Sequence, residues 1–272
     1  MIDQKSIRVA SVQLNSGSDQ ISNLERTSAL LEGCAEQNFD MVLLPENFSF
    51  MGGSDIEKLA IAEKQSSSSV LAYLSNLARK YETVIVGGTI PLKGSSSKKI
   101  RNSCPVLSPA GEIIACYDKM HLFDVTISDE EYRESNTAEA GMKPETASFD
   151  GWKIGLSICY DLRFPELYRH YSAVGCNILT VPAAFTPPTG KAHWQTLLRA
   201  RAIENQSYVL AAAQCGTHPD GRQTWGHSMI ISPWGEVLNE LDEDEGIITA
   251  EISLNNLNEI RQAMPVLNHR RI

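Results

Sequence analysis

Short apolar runs rich in β-branched residues alternate along this chain with longer stretches whose apolar side chains repeat at helical spacing. Ile7–Gln13, Met41–Pro45 and Thr83–Val86 read as strands, separated by helices over Asn23–Glu36 and Val70–Tyr81. The alternation returns in the second half. Strands are expected over Lys153–Cys159, Asn177–Val181 and Tyr208–Gln214, with helices near Pro165–Val174 and Lys191–Asn205 between them. Neither kind of element buries its apolar side alone, so this order packs sheet against helix, an α/β fold. The C-terminal part is richer in strand, with Met229–Ser232, Val237–Leu241 and Ile247–Ile252.

The connections carry their own signals. Gly87-Gly88 marks a bulge or a close backbone approach within a strand that continues to Ile90. Lys93–Lys99 and Ser108–Gly111 read as the turns of two hairpins. Leu122–Lys143 is polar, acidic and without a clear period, and so long a loop in a compact domain is functional or disordered. No repeat or linker interrupts the chain, and 272 residues suit one domain spanning residues 1–272.

Charge and cysteine usage narrow the class. A net charge of −9 argues against sequence-independent binding to nucleic acid or to an anionic membrane. Met1–Ser6 leads into the first strand without the apolar stretch of a signal peptide, and no later run approaches the length of a membrane span. The six cysteines are scattered without C-x-x-C pairs, which points to neither a disulfide framework nor a zinc ribbon. A reduced, cytoplasmic protein is expected.

Chemistry is indicated where strands stop. Glu46 follows the apolar run Met41–Pro45, Lys119 follows the strand containing Ile113 and Ile114, and Cys159 ends the run that begins at Lys153. Ligands gather at the carboxyl ends of strands in open α/β sheets, so a carboxylate, an ammonium and a thiol at three such ends can converge. Taken singly, each has a plainer reading: a packed thiol, a solvated lysine, a surface acid. Only their combination points to catalysis.

The segments around these residues resemble the three signature motifs of the nitrilase, or carbon–nitrogen hydrolase, superfamily: Leu44–Asn47, Tyr117–Leu122 and Cys159–Glu166. The similarity extends through His193–Asn205, Trp225–Ile230 and Pro233–Gly235, and so covers nearly the whole chain. It implies a four-layer α-β-β-α sandwich and a catalytic triad of Glu46, Lys119 and Cys159, with Glu134 as the second glutamate found in many members. The activity implied is amide hydrolysis through a thioester on Cys159, with no metal or organic cofactor. An ammonium beside the thiol is expected to lower its pKa, and Glu46 to accept its proton.

Lys119 and the backbone N–H of Tyr160 are the candidate donors to the oxyanion. Phe185 and Thr186, with Pro187, Pro188 and Thr189, are expected to wall the pocket. Arg163 meets either a substrate carboxylate or Glu166. A cysteine–histidine scheme using His121, His193 or His227 is the rival mechanism, and Cys215 is read as lining or packing. Two branches of the superfamily look closest, the amidases of deaminated glutathione and the ω-amidases of 2-oxoglutaramate. The segments Ala211–His218 and Pro265–Arg271 favour the first. A silent binding or scaffold protein of the same fold is the non-enzymatic alternative. The resemblance also implies a homodimer, with Pro165–Val174, Lys191–Asn205 and the tail carrying Arg261, Arg270 and Arg271 at its interface.

Overall fold

The computed structural model describes residues 6–127 and 130–272. Met1–Lys5, part of the segment read as lacking an apolar leader, and Ser128–Asp129, within the long polar stretch, lie outside the described residues. Among the described residues two large sheets form, one of seven strands and one of six. The first runs Gly246–Ser253, Ser6–Gln13, Met41–Leu43, Val84–Val86 and Ile100–Leu107, and the last of these pairs antiparallel with both Ile90–Lys93 and Ile113–Asp118. The second runs Val237–Glu240, Met229–Ile231, Tyr208–Ala213, Ile178–Ala183, Trp152–Leu156 and Thr146–Phe149.

Period-two alternation decides which face each side chain serves. Val9, Met41, Leu43, Val84 and Val86 share one core with Leu156 and Val181 of the other sheet. Their neighbours Ala10, Val12, Val42 and Ile85 point the opposite way, onto helices α1 (Gln20–Gly33) and α3 (Ser69–Tyr81), which follow each other in the chain around a short α2 (Asp55–Ile61). The outer face of the second sheet is covered by Tyr168 and Tyr171 of α4 (Pro165–Ala173) and by Trp194 and Leu198 of α5 (Pro187–Asn205). The layers are therefore helix, sheet, sheet, helix, as the family resemblance implies.

Local chemistry sets the helix ends. Asp19 accepts from Ile21 N at the start of α1, Ser68 accepts from Leu71 N at the start of α3, and prolines open both α4 and α5. Because Pro187 can open a helix, α5 begins four residues before the expected Lys191. The final helix, α6 (Leu254–Ala263), was not expected. Nor were α2 and the edge strand Thr146–Phe149, whose short patterns do not repeat often enough to register.

The polar stretch Leu122–Lys143 is not structureless. It holds an antiparallel pair, Asp124–Ile127 with Glu130–Arg133, and a one-turn helix at Glu134–Asn136. Its strands are largely exposed, so no apolar alternation marks them in the sequence. The strand expected to continue to Ile90 instead breaks after Val86. Gly88, at φ +56°, turns there so closely against the neighbouring loop that a Cβ would sit 2.1 Å from the carbonyl oxygen of Pro45. Arg261 donates to the carbonyls of Gln206 and Cys176 at 3.0 Å each. Among the described residues no helix is long and apolar enough to cross a membrane.

Candidate active site

Each central residue stands just beyond a strand, on backbone that other segments hold in place. Glu46 lies three residues after Met41–Leu43; its carbonyl accepts from Gln214 Nε2 at 2.9 Å, and the next amide, Asn47 N, donates to Thr89 Oγ1 at 2.8 Å. Lys119 directly follows Ile113–Asp118, with its N–H on the carbonyl of Asn102 and its carbonyl receiving Gly141 N. Cys159 lies three residues beyond Trp152–Leu156, at the start of the short turn Cys159–Arg163. Its φ is +47°, a left-handed conformation that costs a non-glycine residue roughly 1–3 kcal/mol and persists only where the surroundings enforce it.

These three residues and Glu134 meet in one place. Lys119 Nζ is 2.9 Å from Glu46 Oε1 and 2.9 Å from Glu134 Oε2, and all three side chains are largely shielded from solvent. Glu134 is itself fixed by Phe123 N at 2.7 Å and by the Asn102 amide. Burial alone would discharge the ammonium, but the two carboxylates outweigh it and hold the Lys119 pKa well above the usual lysine value. Burial likewise pushes Glu134 up, and Lys119 with the Phe123 N–H overcomes it, leaving this carboxyl below its usual range.

The thiol behaves differently from the sequence-based expectation. Burial raises the Cys159 pKa and the adjacent Glu46 raises it further; Lys119 and the Ala184 N–H oppose this without prevailing, so the value stands well above that of a free thiol. Burial is the largest contribution, and the ammonium that favours a thiolate is offset by the Glu46 carboxylate beside it. At rest the site is therefore a neutral thiol beside a base, rather than a preformed thiolate.

A cavity of about 310 Å³ opens onto this cluster. Tyr160, Arg163, Phe185, Thr186 and Thr189 line it, whereas Pro187 and Pro188 form the first turn of α5. Arg163 is not paired with Glu166. Its Nη1 lies 3.1 Å from His193 Nδ1, and its guanidinium stands 5.2 Å from the Phe185 ring centre and 5.7 Å from that of Tyr160. Lys58, Arg133 and Arg222 also line the cavity. Sequence reasoning missed them because Lys58 sits on the unanticipated α2 and the two arginines on short exposed hairpins.

The rival residues are placed elsewhere. His121 bonds Asp161, His193 faces Arg163, and His227 lies 3.5 Å from Glu240 and against Trp225; none of the three lines the cavity. Cys215 is packed away from it, with burial pushing its thiol up to about 12. Among the described residues no group of three or more His, Cys, Asp or Glu is placed to hold a metal ion.

Comparison with known proteins identifies the family. Residues 8–262 match the carbon-nitrogen hydrolase family. The deaminated glutathione amidase of Synechocystis is 43% identical over 265 residues, covering 96% of this chain and 97% of that protein. The C. elegans NitFhit protein superposes with a TM-score of 0.90 at 37% identity, over 98% of this chain and 65% of that one. A glutamate-to-glutamine mutant of the amidase from Nesterenkonia sp. AN1, 25% identical with a TM-score of 0.78 over 96% of this chain and 98% of that one, shows the Michael addition of acrylamide at its active-site cysteine. With its sandwich and its matched sequence, this chain belongs to the carbon–nitrogen hydrolase family and is an amidohydrolase of the nitrilase superfamily, acting on carbon–nitrogen bonds other than peptide bonds.

Proposed function

We propose that this chain hydrolyses the amide of deaminated glutathione, releasing 2-oxoglutarate and cysteinylglycine, with Cys159 as nucleophile and Glu46, Lys119 and Glu134 as its catalytic partners. The observation that carries the mechanism is the single ammonium of Lys119 held between two carboxylates beside a buried thiol. With the thiol protonated at rest, its proton passes to Glu46 as Sγ attacks the amide carbon. Charge then develops on the carbonyl oxygen, where Lys119 Nζ and the N–H of Tyr160 receive it. Collapse of this adduct transfers the proton from Glu46 to the leaving nitrogen and forms the thioester. Glu46 next takes a proton from water, which attacks the thioester; the acid leaves and the thiol is restored. Glu134 keeps Lys119 charged and in place throughout.

Several features support the choice of amide. A relative 43% identical over almost all of this chain is a deaminated glutathione amidase. Among the described residues Arg163 has no carboxylate partner, and it offers its remaining N–H donors to the oxo-acid end of the substrate, between the Tyr160 and Phe185 rings. Thr186 adds a hydroxyl to that wall. On other walls Arg133 and Arg222 are paired with Glu131 and Asp220, so the preference over the smaller 2-oxoglutaramate of an ω-amidase rests on the 43% identical relative. The test is turnover of deaminated glutathione, 2-oxoglutaramate, glutamine and a simple nitrile, with intact-mass detection of an acyl adduct. Turnover surviving Cys159→Ala refutes the mechanism, and faster turnover of 2-oxoglutaramate refutes the substrate.

We further propose that the chain works as a single domain, as a homodimer, in the cytoplasm. Exposed Ile203 on the last turn of α5, next to exposed Trp234 and Gly235, supports an apolar contact on the outer helical layer. The six unpaired cysteines support a reducing compartment. A monomer by light scattering at micromolar concentration would sink the dimer.

A further inference from the structure

The mechanism above, on which this inference rests, gives no role to the fully buried carboxylate of Asp161. It sits two residues after Cys159 in the same short turn. Its carboxylate collects four hydrogen bonds. Oδ2 accepts from Ile158 N and from the Tyr117 hydroxyl, each at 2.8 Å. Oδ1 accepts from His121 N at 3.0 Å and from His121 Nδ1 at 2.6 Å.

The identity of the donors is what matters. Ile158 immediately precedes the nucleophile, and Tyr117 and His121 stand two residues to either side of Lys119. One carboxylate thus ties the backbone entering Cys159 to the chain on both flanks of Lys119. The tie is braced on the far side, because the His121 ring lies flat on Phe164 with centroids 3.7 Å apart and planes 7° from parallel. Met120 N also donates to the Tyr117 oxygen at 3.2 Å.

Such a tie answers a need of this fold. Lys119 hangs from the first sheet and Cys159 from the second. Between the sheets lies an apolar core, crossed near Glu46 by the hydrogen bond from Gln214 Nε2 to its carbonyl; Asp161 supplies a second polar crossing, beside Lys119 and Cys159. Charge-assisted hydrogen bonds are directional and short, so they can register the two strand ends to a fraction of an ångström. We infer that Asp161 is a positioning residue, holding the Cys159 thiol in register with the Lys119 ammonium across the two sheets.

The test uses Asp161→Asn in the full chain, with kcat and KM for the amide, Cys159 alkylation by iodoacetamide as a function of pH, and thermal melting. The amide keeps one acceptor oxygen and turns a donor toward groups that also donate. We expect kcat per titratable Cys159 thiol to fall by about 10²-fold with KM nearly unchanged. The alkylation midpoint should shift, and that shift should vanish in a Lys119→Met background, where the registered partner is gone. A lower melting temperature with kcat per thiol within about threefold of the parent overturns the inference. If Asp161→Asn does not fold, Tyr117→Phe removes one of the four bonds and leaves the ring. About a tenfold loss of kcat then supports the tie, and an unchanged kcat overturns it. Turnover that persists in Cys159→Ala is a separate result and sinks the proposed function instead.

Discussion

Replacing Lys119 with methionine tests the charge arrangement directly, because it removes the cation and keeps most of the volume. The ammonium touches two carboxylates at 2.9 Å, and the Glu46 and Glu134 side chains are only 5% and 14% exposed. Leaving the acidic side of a buried ion pair unpartnered costs about 3–5 kcal/mol. With an unfolding entropy of roughly 2.1 cal/mol/K per residue, 272 residues give about 0.6 kcal/mol/K, so the melting temperature at pH 7 should fall by about 5–9 °C.

The pH dependence carries the sign. In the parent, the Glu134 pKa is depressed by Lys119, so its contribution is full above the unfolded-state carboxyl value and is lost as pH falls through the lower folded value. In the variant, burial and mutual repulsion raise the carboxyls above their unfolded values. Its penalty is then greatest at neutral pH and shrinks as pH falls through those raised values. Calorimetry of both proteins between pH 5 and pH 8 should show the melting curves converging toward the acid end. A variant as stable as the parent at pH 7, or a deficit that does not narrow with acid, would refute the account of a shared, buried ammonium. Activity should fall by at least about 10²–10³-fold through loss of an oxyanion donor.

Glu46→Gln should lower kcat by about 10²–10⁴-fold, since the base is lost. The same change removes a charge that raises the Cys159 pKa, so iodoacetamide should alkylate Cys159 with a midpoint at lower pH; an unmoved or higher midpoint contradicts this. Arg163→Met should raise KM for an oxo-acid amide by about tenfold or more with little change in kcat, whereas a loss confined to kcat would assign Arg163 to the chemistry instead. Gly88→Ala should cost on the order of 2 kcal/mol and reduce turnover, because the added methyl drives into Pro45 beside Glu46 at a φ of +56°. An unchanged melting temperature would show that this loop relaxes freely.

Much of the molecule is written locally. The strands and helices that form the two central layers follow from period-two and helical patterns, as in Met41–Leu43 against α3, and the three strand-end residues Glu46, Lys119 and Cys159 stand out by position and motif. What is weakly written is the antiparallel pair Asp124–Ile127 with Glu130–Arg133, whose side chains are exposed or only half-buried and so carry no apolar alternation. The cavity residues Lys58 and Arg222 belong to the same class, carried by short surface elements with no periodic signature.

The nucleophile shows where local reading stops. Sequence determined that Cys159 follows a buried strand within a motif that matches a family of amide hydrolases. Its left-handed backbone, and the raising of its pKa by burial and by Glu46 from the other sheet, exist only in the assembled fold. A pKa is set by the sum of desolvation and all neighbouring charges, and at Cys159 burial together with Glu46 outweighs the one ammonium. Residue types are local properties; the field at Sγ is a property of the assembled fold.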